Sequence, residues 1–195
     1  MAGMNPNQIR VAGNGRILVA PLGTAAPADT ASEWGTGWTD VGYTSSDGVK
    51  FGRKEKTSQV DTWQSVGPAR FIYEDRDMTV KFSMLQFNPD TLPLYFGGGE
   101  VRETATGSGV YQYDVLSDPI PDERSLGLEF TDGEEVVYRF VLPRGQVTDT
   151  DEVEMNRKGS LKLGVTFTAM AVDAATPLAT WLVKDPDFAG TAPAA

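Results

Sequence analysis

The stretch RFIYEDRDMTVKFSMLQFNPDTLPLYFGGG, residues 70–99, decides between two kinds of protein. Glu74, Asp75 and Asp77 gather carboxylates, and Gly97 to Gly99 form a glycine triplet, so one reading is a catalytic site beside a phosphate cradle. The other is a strand, a short helix and a stop. Met78, Val80, Phe82 and Met84 alternate with Thr79, Lys81 and Ser83, the period of a half-buried strand. Asn88-Pro89-Asp90-Thr91 is a helix-start signal, the apolar Leu92, Leu94, Tyr95 and Phe96 follow, and Gly97 is placed to end the helix. Pro93 cannot sit deep in a helix, which limits it to about two turns. The triplet has no Gly-Lys-Ser/Thr of a P-loop and no GxGxxG opening a helix, so its spacing argues against phosphate binding. Adjacent Glu74 and Asp75 would point to opposite faces of a strand, leaving only Asp75 and Asp77 together, with Arg70 and Arg76 at hand. That pattern reads as an ion-pair network, since a carboxylate-pair hydrolase needs two separated carboxyls in a cleft.

The strand reading extends in both directions. Residues 16–22, RILVAPL, form a first strand behind a polar N-terminal arm (1–15). Residues 23–37 are small, polar and broken by Pro and Gly, which makes a loop. Strand character resumes in WTDVGYT (38–44), and Ser45-Ser46-Asp47-Gly48 signals a turn. The segment 45–68 is polar on both faces and predicts a long, poorly buried hairpin or loop that another chain could cover, with SVGPAR (65–70) as a break. YQYDVL (111–116) is a further strand. Leu126, Leu128 and Phe130, then Asp132-Gly133, then Val136, Tyr138, Phe140 and Leu142 predict a hairpin with a two-residue turn. Leu161, Leu163, Val165, Phe167 and Ala169 make the last long strand, and 186–195 is a small-residue tail. The expected architecture is one unit over residues 1–195: mainly β, an antiparallel sandwich or barrel of about eight strands with one short flanking α-helix after the fourth or fifth.

Composition narrows the chemistry. The 195 residues contain no cysteine and no histidine. Disulfides, thiolate nucleophiles, the usual zinc sites and the Ser-His-Asp triad are therefore excluded. Asp149, Asp151, Glu152 and Glu154 lack the third ligand and the glycine of an EF-hand loop. Trp34, Trp38, Trp63 and Trp181 read as core or interface anchors rather than as a sugar platform. No catalytic residue, metal or cofactor is expected. The N-terminus shows no apolar signal core, and no run is long enough to span a bilayer.

The net charge of −10 is uneven. Between Asp114 and Glu154 lie twelve acidic residues and three basic ones, whereas KFGRKEK (50–56) has four basic and one acidic. The acidic excess suits a solvated face, a surface that repels a polyanion, or one that meets the basic patch of a neighbouring copy.

Four segments, VAGNGRILVAPLGTAAP, WTDVGYTSSDGVKFGRKEKTSQVDTWQS, the stretch 70–99 and YRFVLPRGQVTDTDEVEMNRKGSLKLGVTFTAMA, together resemble the major tail tube proteins of long-tailed, siphovirus-type bacteriophages, particularly those infecting actinobacteria. The resemblance covers most of the chain. It implies a β-sandwich with a flanking helix that forms six-membered rings stacked into a hollow tube, with strands of every subunit joined in an inner barrel. The genome would pass through without specific binding. Implied partners are other copies of the chain, a tape measure protein, and tail tip and terminator proteins, with assembly in the host cytoplasm and no membrane. Within that frame the acidic Glu129, Glu135, Asp149, Asp151 and Glu154 are expected to face the lumen. Lys50, Arg53, Lys54, Lys56 and Trp63, with the arm 1–15, are expected to bridge subunits. A carbohydrate-binding sandwich, or a head-tail joining or decoration protein, is the alternative.

Overall fold

A computed structural model describes residues 4–118 and 120–188. The strands in chain order are β1 (Asn14–Pro21), β2 (Thr39–Asp40), β3 (Lys50–Thr62), β4 (Ser65–Met84), β5 (Arg102–Glu103), β6 (Tyr111–Gln112), β7 (Arg124–Asp132), β8 (Val136–Thr150), β9 (Leu163–Ala169) and β10 (Thr180–Lys184). One helix, α1 (Thr91–Phe96), follows β4. Eight strands form one antiparallel sheet in the order β2-β1-β7-β8-β9-β4-β3, with β10 also on β8; β5 and β6 pair separately. The sheet is not a closed barrel.

The alternation in β4 performs as its period predicts. Val80, Phe82 and Met84 face inward, in register with Phe167, Val165 and Leu163 of β9. They meet Ile17 and Val19 of β1, Leu126 and Leu128 of β7, and Phe140 and Leu142 of β8 in one core. The sheet therefore folds over on itself: β3 and β8 are not neighbours in strand order, yet the rings of Phe51 and Phe140 lie 5.8 Å apart. The 41–45 segment ties the two halves at one end. The Val41 N–H donates to the Ile17 carbonyl at 3.0 Å, and the Ser45 N–H to the Ser83 carbonyl at 2.8 Å.

The helix is set by its flanks. The Asn88 carboxamide oxygen accepts from the N–H groups of Asp90 and Thr91, both at 2.9 Å. Pro93 sits in the first turn, where its missing N–H costs nothing. Gly97 closes the helix at φ 85°, and its N–H donates to the Pro93 carbonyl at 3.0 Å. That left-handed cap is what a glycine supplies.

Four expectations change. β4 runs through SVGPAR instead of breaking there, because 66–69 falls where the β3–β4 register shifts and Pro68 is asked for no ladder hydrogen bond. The β7–β8 turn has three residues, 133–135, since Asp132 pairs with Val136. Of YQYDVL only Tyr111–Gln112 is strand, on a two-stranded flap. The short β10, unpredicted, lies on β8, its Trp181 ring 4.5 Å from Phe140. Part of the expected tail, 189–195, lies outside the described residues.

The N-terminal arm is tied to its own chain. Arg10 grips Asp185 through Nε at 2.7 Å and Nη2 at 2.5 Å, while the Tyr138 hydroxyl donates to the same carboxylate at 2.6 Å. The Val11 N–H donates to Asp132 at 3.0 Å. The Arg10 hydrogen bond first, and then that of Tyr138, hold the Asp185 carboxyl down from 3.8 to about 2. A depressed carboxyl stabilises fully above its unfolded value and loses that contribution as pH falls through its folded one. The arm should therefore release between about pH 4 and pH 2, read from the backbone amide signals of Ile9 and Val11. In Asp185→Asn it should already be loose at pH 7. An arm signal in that variant identical to wild type would show that Arg10 does not hold it.

Candidate functional site

The feature least explained by the fold is the β3–β4 ribbon. β4 is paired to β9 only over Thr79–Met84, so Arg53–Thr62 and Ser65–Met78 pair with each other and with no other strand, Met78 alone still packing against the core. At ~3.3 Å per residue this ribbon extends about 30 Å from the body. Its side chains are exposed, large apolar ones among them: Trp63 is 99% and Val66 110% exposed, with Val60, Phe71, Ile72 and Tyr73 open to solvent as well. Between Thr62 and Ala69 there is no charged residue.

Towards the base the ribbon is charged. A bulge between Lys56 and Thr57 leaves Glu74 without a strand partner. Glu74 accepts from the Ser58 hydroxyl and pairs with Lys56 at 2.9 Å, and these contacts, Ser58 first, hold its carboxyl below the usual range. Arg76 pairs with Glu55 at 2.7 Å. Glu74 thus belongs to an exposed set of ion pairs without a cleft, whereas Asp75 and Asp77, expected to join such a network, are exposed and stand outside it. Lys50, Arg53 and Lys54 are exposed on β3.

The five acidic residues of interest are scattered. Glu129 is inside: its side chain is 13% exposed, between Arg139 at 2.5 Å and Arg16 at 2.8 Å, and it accepts from the Trp34 indole N–H at 3.0 Å. Burial alone would raise its carboxyl; the hydrogen bonds from Trp34, Arg16 and Arg139 outweigh that and hold it low. Arg139, 4% exposed, also donates to the carbonyls of Asp29 at 2.8 Å and Ser32 at 2.6 Å. The 23–37 loop is thereby strapped across the outer face of β7 and β8. Gly127 makes room for it, since a Cβ there would lie 2.4 Å from the Trp34 ring. Glu135 sits in the β7–β8 turn, Asp149 near the end of β8, and Asp151 and Glu154 in the connection after it. Among the described residues no three carboxylates are grouped to hold a metal ion, and no helix is long and apolar enough to cross a membrane.

Arg139 was not singled out by its pattern: between Tyr138 and Phe140 it sits at an outward position. An Arg amid an otherwise apolar strand, VVYRFVL, is the signal that could have found it.

The two faces of the folded sheet differ. The strap lies over the outside of β7 and the first half of β8. The other layer, the end of β8 with β9, β4 and β3, is more open on its outer face: Asp149, Thr166, Lys81 and Lys50 stand in one row across four strands, with Thr166 buried between its neighbours and Lys81 and Lys50 exposed.

A mainly β chain with one more open face and a long unpartnered ribbon has the attributes of a structural building block. A family model described as phage tail tube protein matches residues 2–194, and the chain belongs to that family. It is a virion tail protein of a bacteriophage. No curated protein matches it.

Proposed function

We propose that the chain polymerises as six-membered rings stacked into the hollow tail tube through which phage DNA enters the host. The observation that carries this is the ribbon. An isolated two-stranded hairpin is marginal in water, and one bearing an exposed Trp63 amid apolar, uncharged residues is made to be covered. Other copies of the chain are the cover that a tube supplies. In this reading the ribbon, with Lys50, Arg53, Lys54, Lys56 and Trp63, bridges subunits and stacked rings. Tape measure, tip and terminator proteins meet the tube along its channel and at its ends. Assembly takes place in the host cytoplasm before the tail is joined to the particle. Concentrated protein should give rings or tubes in negative-stain micrographs, with or without chelator. A species that stays monomeric at every concentration, alone and with its tail partners, would overturn the reading.

The more open layer is the proposed channel wall. A conduit must not hold DNA, and basic surfaces gain affinity for it through counterion release. Lys50, Lys54, Lys56 and Lys81 share that wall with Asp75, Asp77 and Asp149, so the acids there neutralise it. Glu135, Asp151 and Glu154 are proposed to add repulsion at its margins; Glu129 is committed to Arg139 inside the chain. Reversing Glu135, Asp151 and Glu154 to Lys should leave tubes intact and create DNA retention at low salt that fades at high salt. Tubes of this variant with no added DNA affinity would put these carboxylates on the outside.

A further inference from the structure

We infer that residues 4–13 are a latched arm that restrains the free chain from joining other copies, and that Arg10 is its catch. The inference rests on the polymerising role and adds what holds it back. The arm is pinned by polar contacts. Arg10 and Asp185 meet through two nitrogen–oxygen pairs, and the Asp185 side chain is only 3% exposed. The Gln8 side-chain amide donates to the Asp187 carbonyl at 3.2 Å, the Val11 N–H to the Asp132 carboxylate at 3.0 Å and the Gly13 N–H to the Thr131 carbonyl at 3.2 Å. The apolar side chains of the arm stay outside this attachment: Met4, Ile9 and Val11 are all exposed. A segment built to stay in place would bury them, because apolar burial is the dominant force that holds chain to chain.

The arm lies beside the place where the folded sheet fails to close. Among the described residues β3 pairs only with β4 and β10 only with β8. A cavity of about 310 Å³ opens there, lined by Ile17, Leu128 and Phe130, by Phe51 of β3 and Trp181 of β10, and by Ala12 of the arm. Phe51 and Trp181 are exposed although both are large aromatic side chains. Swinging the arm away removes the wall at Ala12 and widens this aromatic mouth. The closed arm thus narrows an apolar surface of the kind that marks a protein contact.

Catch and hinge are both in place. Residues 12–15, Ala-Gly-Asn-Gly, carry no bulky side chain where the arm enters β1, and small residues at the end of an element are common hinge positions. The catch is one bidentate ion pair, steadied by the Tyr138 hydroxyl 2.6 Å from the Asp185 carboxylate. Ordering residues 4–13 costs backbone entropy that opposes these polar contacts, so the closed and open forms lie close in free energy. A second copy that binds the open form better draws the chain into it. Until one does, the arm stays shut and joining is delayed.

The absence of cysteine makes the test clean. Gln8→Cys with Asp187→Cys, joined in dilute protein by a short methanethiosulfonate bridge, fixes the arm shut. The bridged chain should stay unassembled, and dithiothreitol should return it to wild-type assembly, which also shows that the variant folds. In the opposite direction, Arg10→Gln should loosen the arm, read from the amide signals of Ile9 and Val11. It should lower the concentration needed for assembly about tenfold, an ordinary size for coupling between two sites. If the reduced double variant fails to assemble, Arg10→Gln decides alone. Bridged chains that build tubes as readily as wild type would overturn the latch and leave the polymerising role standing. An Arg10→Gln chain whose arm is loose but which assembles no better would overturn it too, and weaker assembly would make the closed arm part of the subunit contact instead. A wild-type chain that never oligomerises removes the polymerising role and the latch with it.

Discussion

Replacing Arg139 with methionine is expected to lower the melting temperature of the unassembled chain by about 10 °C. The guanidinium is nearly sealed from water and meets Glu129 and the carbonyls of Asp29 and Ser32. It also lies 5.2 Å from the centre of the Trp34 ring. Methionine matches the volume but leaves the Glu129 carboxylate and two carbonyls short of a donor. Breaking a buried pair from one side costs about 3–5 kcal/mol. In a chain of this length each kcal/mol moves the midpoint by about 2–4 °C. The loss should be local in its first effect: the 23–37 loop comes away before the core melts, seen as early hydrogen exchange at Ala31 and Ser32. Adding Glu129→Leu should recover part of the midpoint, because the uncompensated charge goes with it. Recovery stays partial, since the Trp34 indole N–H and Arg16 lose their acceptor. A melting point for Arg139→Met within a degree or two of wild type would mean that water already reaches the pair.

The buried pair also marks the limit of what the sequence could reveal. Period-2 alternation identifies one inward face, and it found Leu126, Leu128, Phe140 and Leu142. It assumes the opposite face is wet. Here the 23–37 loop lies on that face through its contacts with Arg139, Glu129 and Gly127, and Leu18, Ala20, Ser125 and Val141 on the same face are buried too. Nothing in a polar, Pro- and Gly-punctuated loop announces that it will lie down on a sheet; the clue was the matching pair Gly127 and Trp34, meaningful only in three dimensions. The helix was legible because its signals are local: Asn88 before it and Gly97 after it act within a turn. The ribbon was legible as long, polar and poorly buried, yet its extent was not. Gly67-Pro68 reads as a break when strands are assumed to be paired throughout, and a register shift lets the chain continue past it. The charge pattern was visible from the start, but only the strand order puts residues 50–56 and 146–150 at opposite sides of one layer.

Cutting the ribbon should have the largest effect on assembly and almost none on the fold. A chain in which Lys54 is joined to Asp77 through Asn-Gly keeps the strand pair at its base, because Lys54 and Asp77 face each other in register. The two-residue Asn-Gly turn closes such a pair with the right twist. The removed residues pair with no strand outside the ribbon, and exposed ion pairs such as Arg76 with Glu55 add little to stability. The melting temperature should therefore stay within about 3 °C of wild type, since surface changes are usually worth under ~0.5 kcal/mol. The rest of the sheet, and with it the body of the subunit, is retained. The truncated chain should then form rings or short oligomers and no tubes, because the segment that reaches about 30 Å beyond the body is gone. Trp63→Ser should act in the same direction more weakly, by removing the largest apolar anchor at the tip. Sedimentation and negative-stain microscopy distinguish the outcomes. Full-length tubes from the truncated chain would make the ribbon an ornament and return stacking to the body of the ring. Loss of folding would show that the ribbon is part of the core, against its exposure. Isolated rings would separate the two contacts, one made within a ring by the body of the sheet and the other between rings by an apolar tip.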